Sequence, residues 1–408
     1  MDIYESMSKR FSATPIPKPT GELSKENEKL TQWYLEQSFF CDFVYRNPER
    51  KKGKEFSDAL VIYDDTIVIV QNKTQLSPRD TLDWSGKNIN SALRQLRGSY
   101  RMIRDGIVHS FENDMIGSSM QIDLSKHKNF YGLVILAQVS DAYDPTGLLD
   151  ESCRPNFPFT IMSLDDFFIA IDRIDTAGDL ITYLEMRYDA SRLGFVPPVN
   201  DEVHNMRKLA ELVPKILEPY LHKIDPVRKV AAIEQRRSRL TMRVKERQDY
   251  IFSTVFYDMI AHAHDVDPAI FGTGPEAKLQ AHRIAEVLGY VARERRIEIG
   301  KRLLAAAEES FNGIIRIITH VQKPISQTYI YIFTSTNRKR RQSFLASLTA
   351  AAQKKYGYRK VFGMATEPVG TGGRSYDFVL LDTEVLPKGT EVPKDVLEQL
   401  PEVTDRLL

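Results

Sequence analysis

Polar residues of three kinds meet at one end of a predicted hairpin. The stretch FSDALVIYDDTIVIVQNK, residues 56–73, consists of two apolar runs joined by Asp-Asp, a pattern typical of a β-hairpin with a two-residue turn. That turn places Asp58 opposite Gln71, and the strand period of two puts Lys73 on the same face. The main-chain carbonyl of Asn72 lies between the last two. Oxygen ligands suit a hard divalent cation and an amine suits a developing negative charge, so the pattern indicates chemistry.

A buried acid is expected on the helix that precedes the hairpin. Glu36 has Trp33, Phe39 and Phe40 at helical spacing, which places it on the core-facing side. A lone buried carboxylate is costly unless a cation or hydrogen-bond donors compensate its charge. A divalent metal shared with Asp58 would provide that compensation.

Glu55 is a rival second acid close to Asp58. Its number is odd where that of Asp58 is even, so a continuous strand would direct the two side chains to opposite faces. We therefore expect Glu36 rather than Glu55 to lie beside Asp58.

The order of these residues resembles the PD-(D/E)XK nuclease superfamily. An acid on the first helix, Glu36, is followed by Asp58 on one strand and by Gln71-Asn72-Lys73 on the next. The following segment DWSGKNINSALRQLRGSYRMI looks like the helix that packs on the sheet in these enzymes. The resemblance covers residues 24–190 and implies a mixed sheet flanked by helices.

The same resemblance implies the site chemistry. Magnesium or manganese would be held by Asp58, the Gln71 position and the Asn72 carbonyl, with Glu36 as a further ligand. Lys73 would orient the attacking water or help to deprotonate it. Such a metal and lysine stabilise the charge that builds on a scissile phosphate.

Gln71 departs from the family pattern, which has Asp or Glu at this position. Some branches of the superfamily look like this and remain nucleases, with the amide oxygen as a neutral ligand. A lost charge weakens metal binding, however. A catalytically degenerate nuclease fold that acts as a nucleic-acid-binding or assembly module is therefore the alternative.

Composition is that of an ordinary globular protein. The 408 residues include 56 Lys plus Arg and 55 Asp plus Glu, so attraction to nucleic acid depends on local charge clusters. Cys41 and Cys153 are far apart, which excludes a disulfide framework and a cysteine-based zinc site. The sequence contains neither a membrane-length apolar run nor a secretory signal. We expect a soluble cytoplasmic protein without a membrane partner.

Alternating strand and helix patterns predict an α/β fold with four regions. Residues 1–23 form an irregular arm, and 24–195 form the nuclease-like domain with its restriction-endonuclease-like mixed sheet. The segment GFVPPVN is expected to be a linker to an all-α region at 201–311. Residues 312–408 are expected to form a small C-terminal α/β domain.

Three basic surfaces are candidates for nucleic-acid binding. One is an arginine stripe on the helix after the hairpin, and the second is the start of a later helix, where the helix dipole disfavours cations unless an anion binds. The third is the segment 228–247, with eight basic and two acidic residues. Solvated surface is the competing interpretation for all three. The members of the first two are Arg94, Arg97, Arg101 and Arg104, and Arg338, Lys339, Arg340 and Arg341.

Together these features predict a magnesium-dependent endonuclease that hydrolyses phosphodiester bonds of DNA, with RNA as the other substrate that the sequence allows. By analogy with other nucleases that carry accessory regions, we expect a bacterial anti-phage defence effector. The helical region favours a homo-oligomer or an activating partner protein.

Overall fold

The computed structural model describes most of the chain. The described residues are 17–51, 54–76, 81–113, 117–174, 176–221, 249–264, 275–289, 291–309, 316–322, 327–333, 338–357, 360–367, 375–382, 394–398 and 400, with single residues between 230 and 240. The chain divides into two compact units. The first unit comprises Pro15–Arg247 and Gly289–Arg293, and the second comprises Gln248–Leu288 and Glu294–Leu408.

The first unit is built on a five-stranded mixed sheet. Its strand order is β1-β4-β5-β8-β9, antiparallel from β1 to β5 and parallel from β5 to β9. The pairs β2-β3 and β6-β7 form two small separate sheets. The predicted α/β fold with a mixed sheet flanked by helices is confirmed. The helices are α1 Leu23–Phe39, α2 Thr81–Arg104, α3 Leu164–Arg173, α4 Ala177–Arg192 and α5 Glu202–Leu221. The strands are β1 Val44–Arg46, β2 Glu49–Lys51, β3 Lys54–Glu55, β4 Ala59–Tyr63, β5 Thr66–Thr74, β6 Ser110–Asn113, β7 Ser118–Gln121, β8 Asn129–Ala137 and β9 Phe159–Ser163.

The predicted hairpin has the expected register. Ala59 pairs with Val70 and Tyr63 with Thr66, and the turn falls at the two aspartates between the strands. Even positions of β4 and odd positions of β5 pack against α2 in one apolar core. Fully burying each such side chain stabilises the fold by about 1.5–3 kcal/mol.

Helix α2 packs closely against the backbone of β8 in the sheet. A Cβ atom on Gly132 of β8 would lie 2.7 Å from Cδ1 of Leu96, so a larger residue here would force the Leu96 side chain to move. The buried residues of α2 include Ile89, Leu93, Leu96 and Ile103, as their helical spacing predicts.

The predicted linker is part of the first unit. Val199 is fully buried and exchanges backbone hydrogen bonds with Tyr143, at 2.9 and 3.2 Å. Beyond it, a buried ion pair at 2.5 Å joins Arg187 of α4 to Glu202 of α5. These contacts attach α5 to the sheet, so the unit continues past residues 196–200, where a boundary was predicted.

The second unit contains a four-stranded sheet, β10-β11-β12-β13. The outer pairs are antiparallel, and β11 and β12 are parallel because α9 crosses between them. One face of α9 packs on the sheet in a core that includes Leu345, Leu348 and Val361. The helices are α6 Val255–His264, α7 Pro275–Gly289, α8 Arg293–Glu309, α9 Arg338–Tyr356 and α10 Lys394–Glu398, and the strands are β10 Arg316–Gln322, β11 Gln327–Phe333, β12 Lys360–Thr366 and β13 Tyr376–Asp382.

Within the residues that the structure describes, no helix combines the length and apolar character needed to cross a membrane.

Candidate functional site

Asp58 lies at the entry to β4 and is held from three directions. Its main-chain carbonyl accepts hydrogen bonds from Gln32 Nε2 of α1 at 2.7 Å and from Asn47 N at 3.2 Å. Its Oδ2 accepts a hydrogen bond from the backbone N–H of Asn72 in β5. A carboxylate fixed at backbone and side chain is preorganised, because its position does not depend on a bound ligand.

Gln71, Asn72 and Lys73 continue β5 beyond the point where β4 begins. Gln71 is buried and Lys73 is half-buried, and the strand period places both on the face that packs against α2. The side chain of Asn72 lies on the other face, where its Oδ1 accepts a hydrogen bond from Thr31 Oγ1 of α1 at 3.0 Å. Its Nδ2 is buried without a hydrogen-bond partner. The structure thus brings the predicted hairpin residues together at one end of β5.

The Asn72 carbonyl is expected to face Asp58. A hydrogen-bonded residue of an antiparallel pair directs its N–H and C=O toward the same neighbouring strand. Because Asn72 N–H already points to Asp58, its carbonyl oxygen belongs on the same side. That direction agrees with the predicted use of this carbonyl as a ligand.

Two further acids share the electrostatic field of Asp58 and Lys73. We call Glu28, Glu55 and Asp58 the acid cluster. Burial raises the pKa of Glu28, the charges of Asp58 and Glu55 raise it further, and Lys73 lowers it. Burial and the charge of Asp58 likewise raise the pKa of Glu55, against the lowering effect of Lys73.

The pKa of Asp58 is shifted by similar effects. Burial raises the pKa of its carboxyl, while the Asn72 N–H and the charge of Lys73 lower it. Lys73 makes no salt bridge to any residue that the structure describes, although it is the cation common to all three acids. The cluster therefore carries more negative charge than its own groups neutralise.

Glu36 has a different partner from the one that we predicted. It is buried as expected, but Arg46 Nε and Nη2 donate to its Oε1 and Oε2 at 2.6 and 2.7 Å. The compensating cation is thus the guanidinium of Arg46. This bidentate pair occupies both carboxylate oxygens, so the geometry does not support Glu36 as a metal ligand shared with Asp58.

Glu28 is the acid of α1 whose charge interacts with Asp58, and sequence reasoning missed it. Glu28 lies two helical turns before Glu36, next to a run of buried polar residues on α1 that contact the hairpin end: Asn27, Thr31 and Gln32. Polar residues at helical spacing were the available signal. The aromatic residues of α1 point to Glu36 instead, because they mark the apolar side of the helix and not the polar side that contacts the hairpin.

The prediction that Glu55 and Asp58 point to opposite faces is wrong. Alternation of odd and even positions holds only within one continuous strand. Instead, Glu55 belongs to β3, which ends there, and β4 starts only at Ala59. The break at residues 56–58 removes the alternation, so Glu55 and Asp58 interact.

The arginine stripe of α2 is largely engaged within the protein. Arg94 Nη1 donates to Cys153 Sγ at 3.1 Å, and Arg97 Nη1 donates to the Ser152 carbonyl at 2.6 Å. Arg104 pairs with the neighbouring Asp105 at 2.8 Å. Arg101 is exposed, and its guanidinium has no partner among the described residues.

The basic first turn of α9 finds its anion inside the second unit. Arg341 is buried and donates to Asp377 Oδ2 at 2.5 Å, to Glu367 Oε1 at 2.7 Å and to Ser375 Oγ at 2.6 Å. Arg338 donates to Asp377 Oδ1 at 3.0 Å. We call these five residues the arginine–carboxylate cluster. The expected nucleic-acid phosphate is thus replaced by internal carboxylates at these two arginines.

Lys339 and Arg340 of the same turn are exposed to solvent. Most of the basic segment 228–247 lies outside the described residues. Within that segment, Arg237 pairs with Glu234 at 3.1 Å and donates to the Ala210 carbonyl at 3.1 Å.

Comparison with known proteins identifies no relative, since no family model, curated protein or solved structure matches the chain. In the described part of the chain, no three His, Cys, Asp or Glu side chains are grouped so that they could hold a metal ion. The chemistry must therefore be argued from the hairpin site itself.

Proposed function

We propose that this chain is a metal-dependent nuclease that hydrolyses phosphodiester bonds of DNA at the hairpin site. The observation that carries the proposal is the acid cluster: a preorganised Asp58 beside Glu28 and Glu55, with raised pKa values and Lys73 as their common cation. Carboxyl groups with perturbed pKa values cluster at functional sites. The mixed sheet with flanking helices agrees with the family that the motif resembles.

The donor set at this site fits magnesium or manganese. Magnesium prefers oxygen ligands and is usually bound by one or two carboxylates while it keeps several waters. Asp58 supplies a fixed carboxylate, and Gln71 and the Asn72 carbonyl supply neutral oxygens at the same strand end. Glu28 or Glu55 supplies the second negative charge that Gln71 lacks. A water-rich shell of this kind needs only one or two carboxylates as direct ligands, so not all three acids of the cluster have to contact the ion.

The residues of the chain have separate tasks in the proposed reaction. A bound divalent ion supplies Lewis-acid polarisation of the phosphate. Lys73, without a salt bridge in the described residues, is available to orient the attacking water and to stabilise charge on the phosphate oxygens. Gln32 and Asn47 hold the main chain of Asp58, so that its carboxylate keeps its direction through the reaction.

The test is cleavage of supercoiled plasmid and of linear single-stranded DNA with magnesium or manganese. We expect wild type to cut and Lys73→Ala to lose about 100-fold or more of the rate, because one stabilising group is removed from the phosphate. Lys354→Ala, which changes an exposed lysine in the last turn of α9, is the matched control and should cut normally. Equal cleavage by Lys73→Ala and wild type would refute the proposal.

Gln71 favours a second candidate function. With a neutral residue in the family's acid position, the fold would serve as a nucleic-acid-binding or assembly module without hydrolysis. This alternative predicts salt-sensitive DNA binding by a wild type that does not cleave, and no effect of magnesium on thermal stability. Changing Gln71→Glu discriminates further, since restored charge should then create metal-dependent cleavage.

A further inference from the structure

A cavity of about 200 Å³ opens at the carboxyl ends of β8 and β9. Crevices at the carboxyl ends of parallel strands are common ligand-binding positions in α/β sheets. The volume is below the range of about 300–1,000 Å³ for pockets that hold drug-sized ligands, so the cavity suits one small ring system. Its lining residues are Leu136, Gln138, Val139, Ser140, Ser163, Leu164 and Asp165.

Strand register places this cavity beside the hairpin site. Lys73 of β5 pairs with Leu136 of β8, which pairs with Ser163 of β9. Partners in parallel strands share a face, so both lining residues lie on the face that carries Lys73. Neighbouring strands lie about 4.8 Å apart, so the cavity starts at Leu136 on β8, directly beside Lys73 on β5, and extends to Ser163 on β9.

Two polar side chains at the cavity have no protein partner. Among the described residues, neither Gln138 nor Asp165 makes a side-chain hydrogen bond or ion pair, and both are exposed. Gln138 has φ 64°, a left-handed conformation that non-glycine residues rarely adopt. Such strain persists where surrounding structure enforces it, often at ligand sites. The two residues that follow Gln138 are held in place, because Asn200 Nδ2 donates to the carbonyls of Val139 and Ser140 at 3.3 and 3.1 Å.

The charges at the cavity select against a phosphate. Asp165 and Asp166 lie in the first turn of α3, where their negative charges offset the positive end of the helix dipole that would otherwise attract a phosphate. Ser163 Oγ is already used, since it accepts the N–H of Asp166 at 2.9 Å. A neutral group with hydrogen-bond donors fits this carboxylate. The three aliphatic residues of the lining are each more than nine-tenths buried, so only their edges form the floor of the cavity.

We propose that this cavity, the base subsite, binds one nucleobase turned out of the strand whose phosphate lies at Lys73. The inference rests on the proposed function, which it deepens by naming the part of the substrate that is recognised. A carboxylate accepts a hydrogen bond from an exocyclic amino group, and a carboxamide both donates and accepts. Asp165 and Gln138 therefore favour the bases that carry an exocyclic amino group, cytosine, adenine and guanine, over thymine, which has none.

Fluorescence of 2-aminopurine tests the base subsite without requiring cleavage. Single-stranded and duplex oligonucleotides carry this base at successive positions and are bound by the full chain with Lys73→Ala. Unstacking raises its fluorescence, so a several-fold rise at one position is expected. Adding Asp165→Ala should remove that rise, whereas Asp395→Ala, an exposed first-turn aspartate of α10, should keep it.

The second readout is sequence preference in the cleavage reaction. We expect Asp165→Ala to reduce the preference for cytosine, adenine or guanine over thymine at that position about tenfold. If wild type cleaves DNA but shows neither a fluorescence rise nor a preference sensitive to Asp165, the base subsite is refuted and the nuclease proposal stands. If the Asp165-dependent rise occurs without any cleavage by wild type, the subsite stands and the hydrolytic proposal fails.

Discussion

Carboxyl pKa values are shifted in opposite directions in the two charged clusters of this chain. In the arginine–carboxylate cluster of the second unit, burial alone would raise the pKa of Glu367, but hydrogen bonds from Ser375 and Arg341 lower it. In the acid cluster of the first unit, burial raises the pKa of all three carboxyls, and they have one lysine between them.

This difference distinguishes a cluster whose charges are compensated internally from one that we propose to be functional. Two guanidinium groups, an amide and a hydroxyl bind the acids of the arginine–carboxylate cluster, so that its negative charges are compensated internally. In the acid cluster, hydrogen bonds to the main chain hold Asp58, and the cluster keeps an excess of negative charge that a bound cation would neutralise. A charge cluster that no internal groups compensate is thus a stronger indication of function than a compensated one.

Matched substitutions of one aspartate in each cluster give the largest expected effects. Asp58→Asn should lower the rate of metal-dependent cleavage by about 100-fold or more while thermal stability is kept. Asp377→Asn should leave cleavage intact but lower the free energy of unfolding by about 3 kcal/mol, because buried Arg341 loses a paired charge. Plasmid cleavage and urea denaturation measure the two effects.

Each variant serves as the control for the other. The contrast breaks down if Asp58→Asn destabilises the protein as much as Asp377→Asn does, since the acid cluster would then be structural.

The hairpin could be predicted in detail because its constraints are local. Alternating apolar residues and a two-residue turn determine the register, and the register alone places Asp58, Gln71 and Lys73 at one end. The partner of Glu36 could not be predicted in this way. Arg46 reaches it only because β1 pairs with β4, which is a contact between separate elements.

Partners that depend on long-range packing explain the other misses. The first turn of α9 shows four basic residues in sequence, but Asp377 lies on a strand that follows it by a long connection. Glu55 was misplaced because sequence patterns do not reveal a strand break over three residues. The pattern thus predicts which residue types are present, and the fold decides which charges are already satisfied.

Magnesium should stabilise the protein through the acid cluster. At a free concentration about 100 times Kd, binding to the native state alone contributes about 2.7 kcal/mol. Glu28→Gln should reduce the magnesium-dependent rise in Tm, since it removes a charge from the cluster. Glu36→Gln should preserve that rise although it lowers Tm itself, because its partner is Arg46. Differential scanning calorimetry at constant ionic strength checks both, and an equal loss in the two variants would return Glu36 to the metal site.

The two clusters should have opposite effects on stability as pH changes. A carboxyl with a raised folded pKa binds more protons in the native state, so its contribution falls as pH rises from the unfolded pKa through the folded pKa. That applies to Asp58, from about pH 4 upward. Glu367 has a lowered folded pKa, so its stabilisation is present above the unfolded value and is lost as pH falls through the folded one.

Variant-minus-wild-type unfolding free energies between pH 3 and 7 isolate these slopes. Asp58→Asn should become relatively more stable as pH rises, and Glu367→Gln relatively less stable. Slopes of the same sign in both variants would show that the two clusters do not differ in charge compensation.

The smallest expected effect concerns Arg101, whose exposed guanidinium has no partner among the described residues. If it contacts a phosphate, Arg101→Ala should weaken binding uniformly across DNA sequences and reduce the slope of log K against log salt by about 1. Arg302→Ala is the control, because that exposed arginine pairs with Glu298 at 2.7 Å in the second unit. Fluorescence anisotropy over a salt series measures both slopes. An unchanged slope for Arg101→Ala would assign the α2 stripe to solvated surface, and nucleic-acid binding would then depend on the hairpin site and the base subsite.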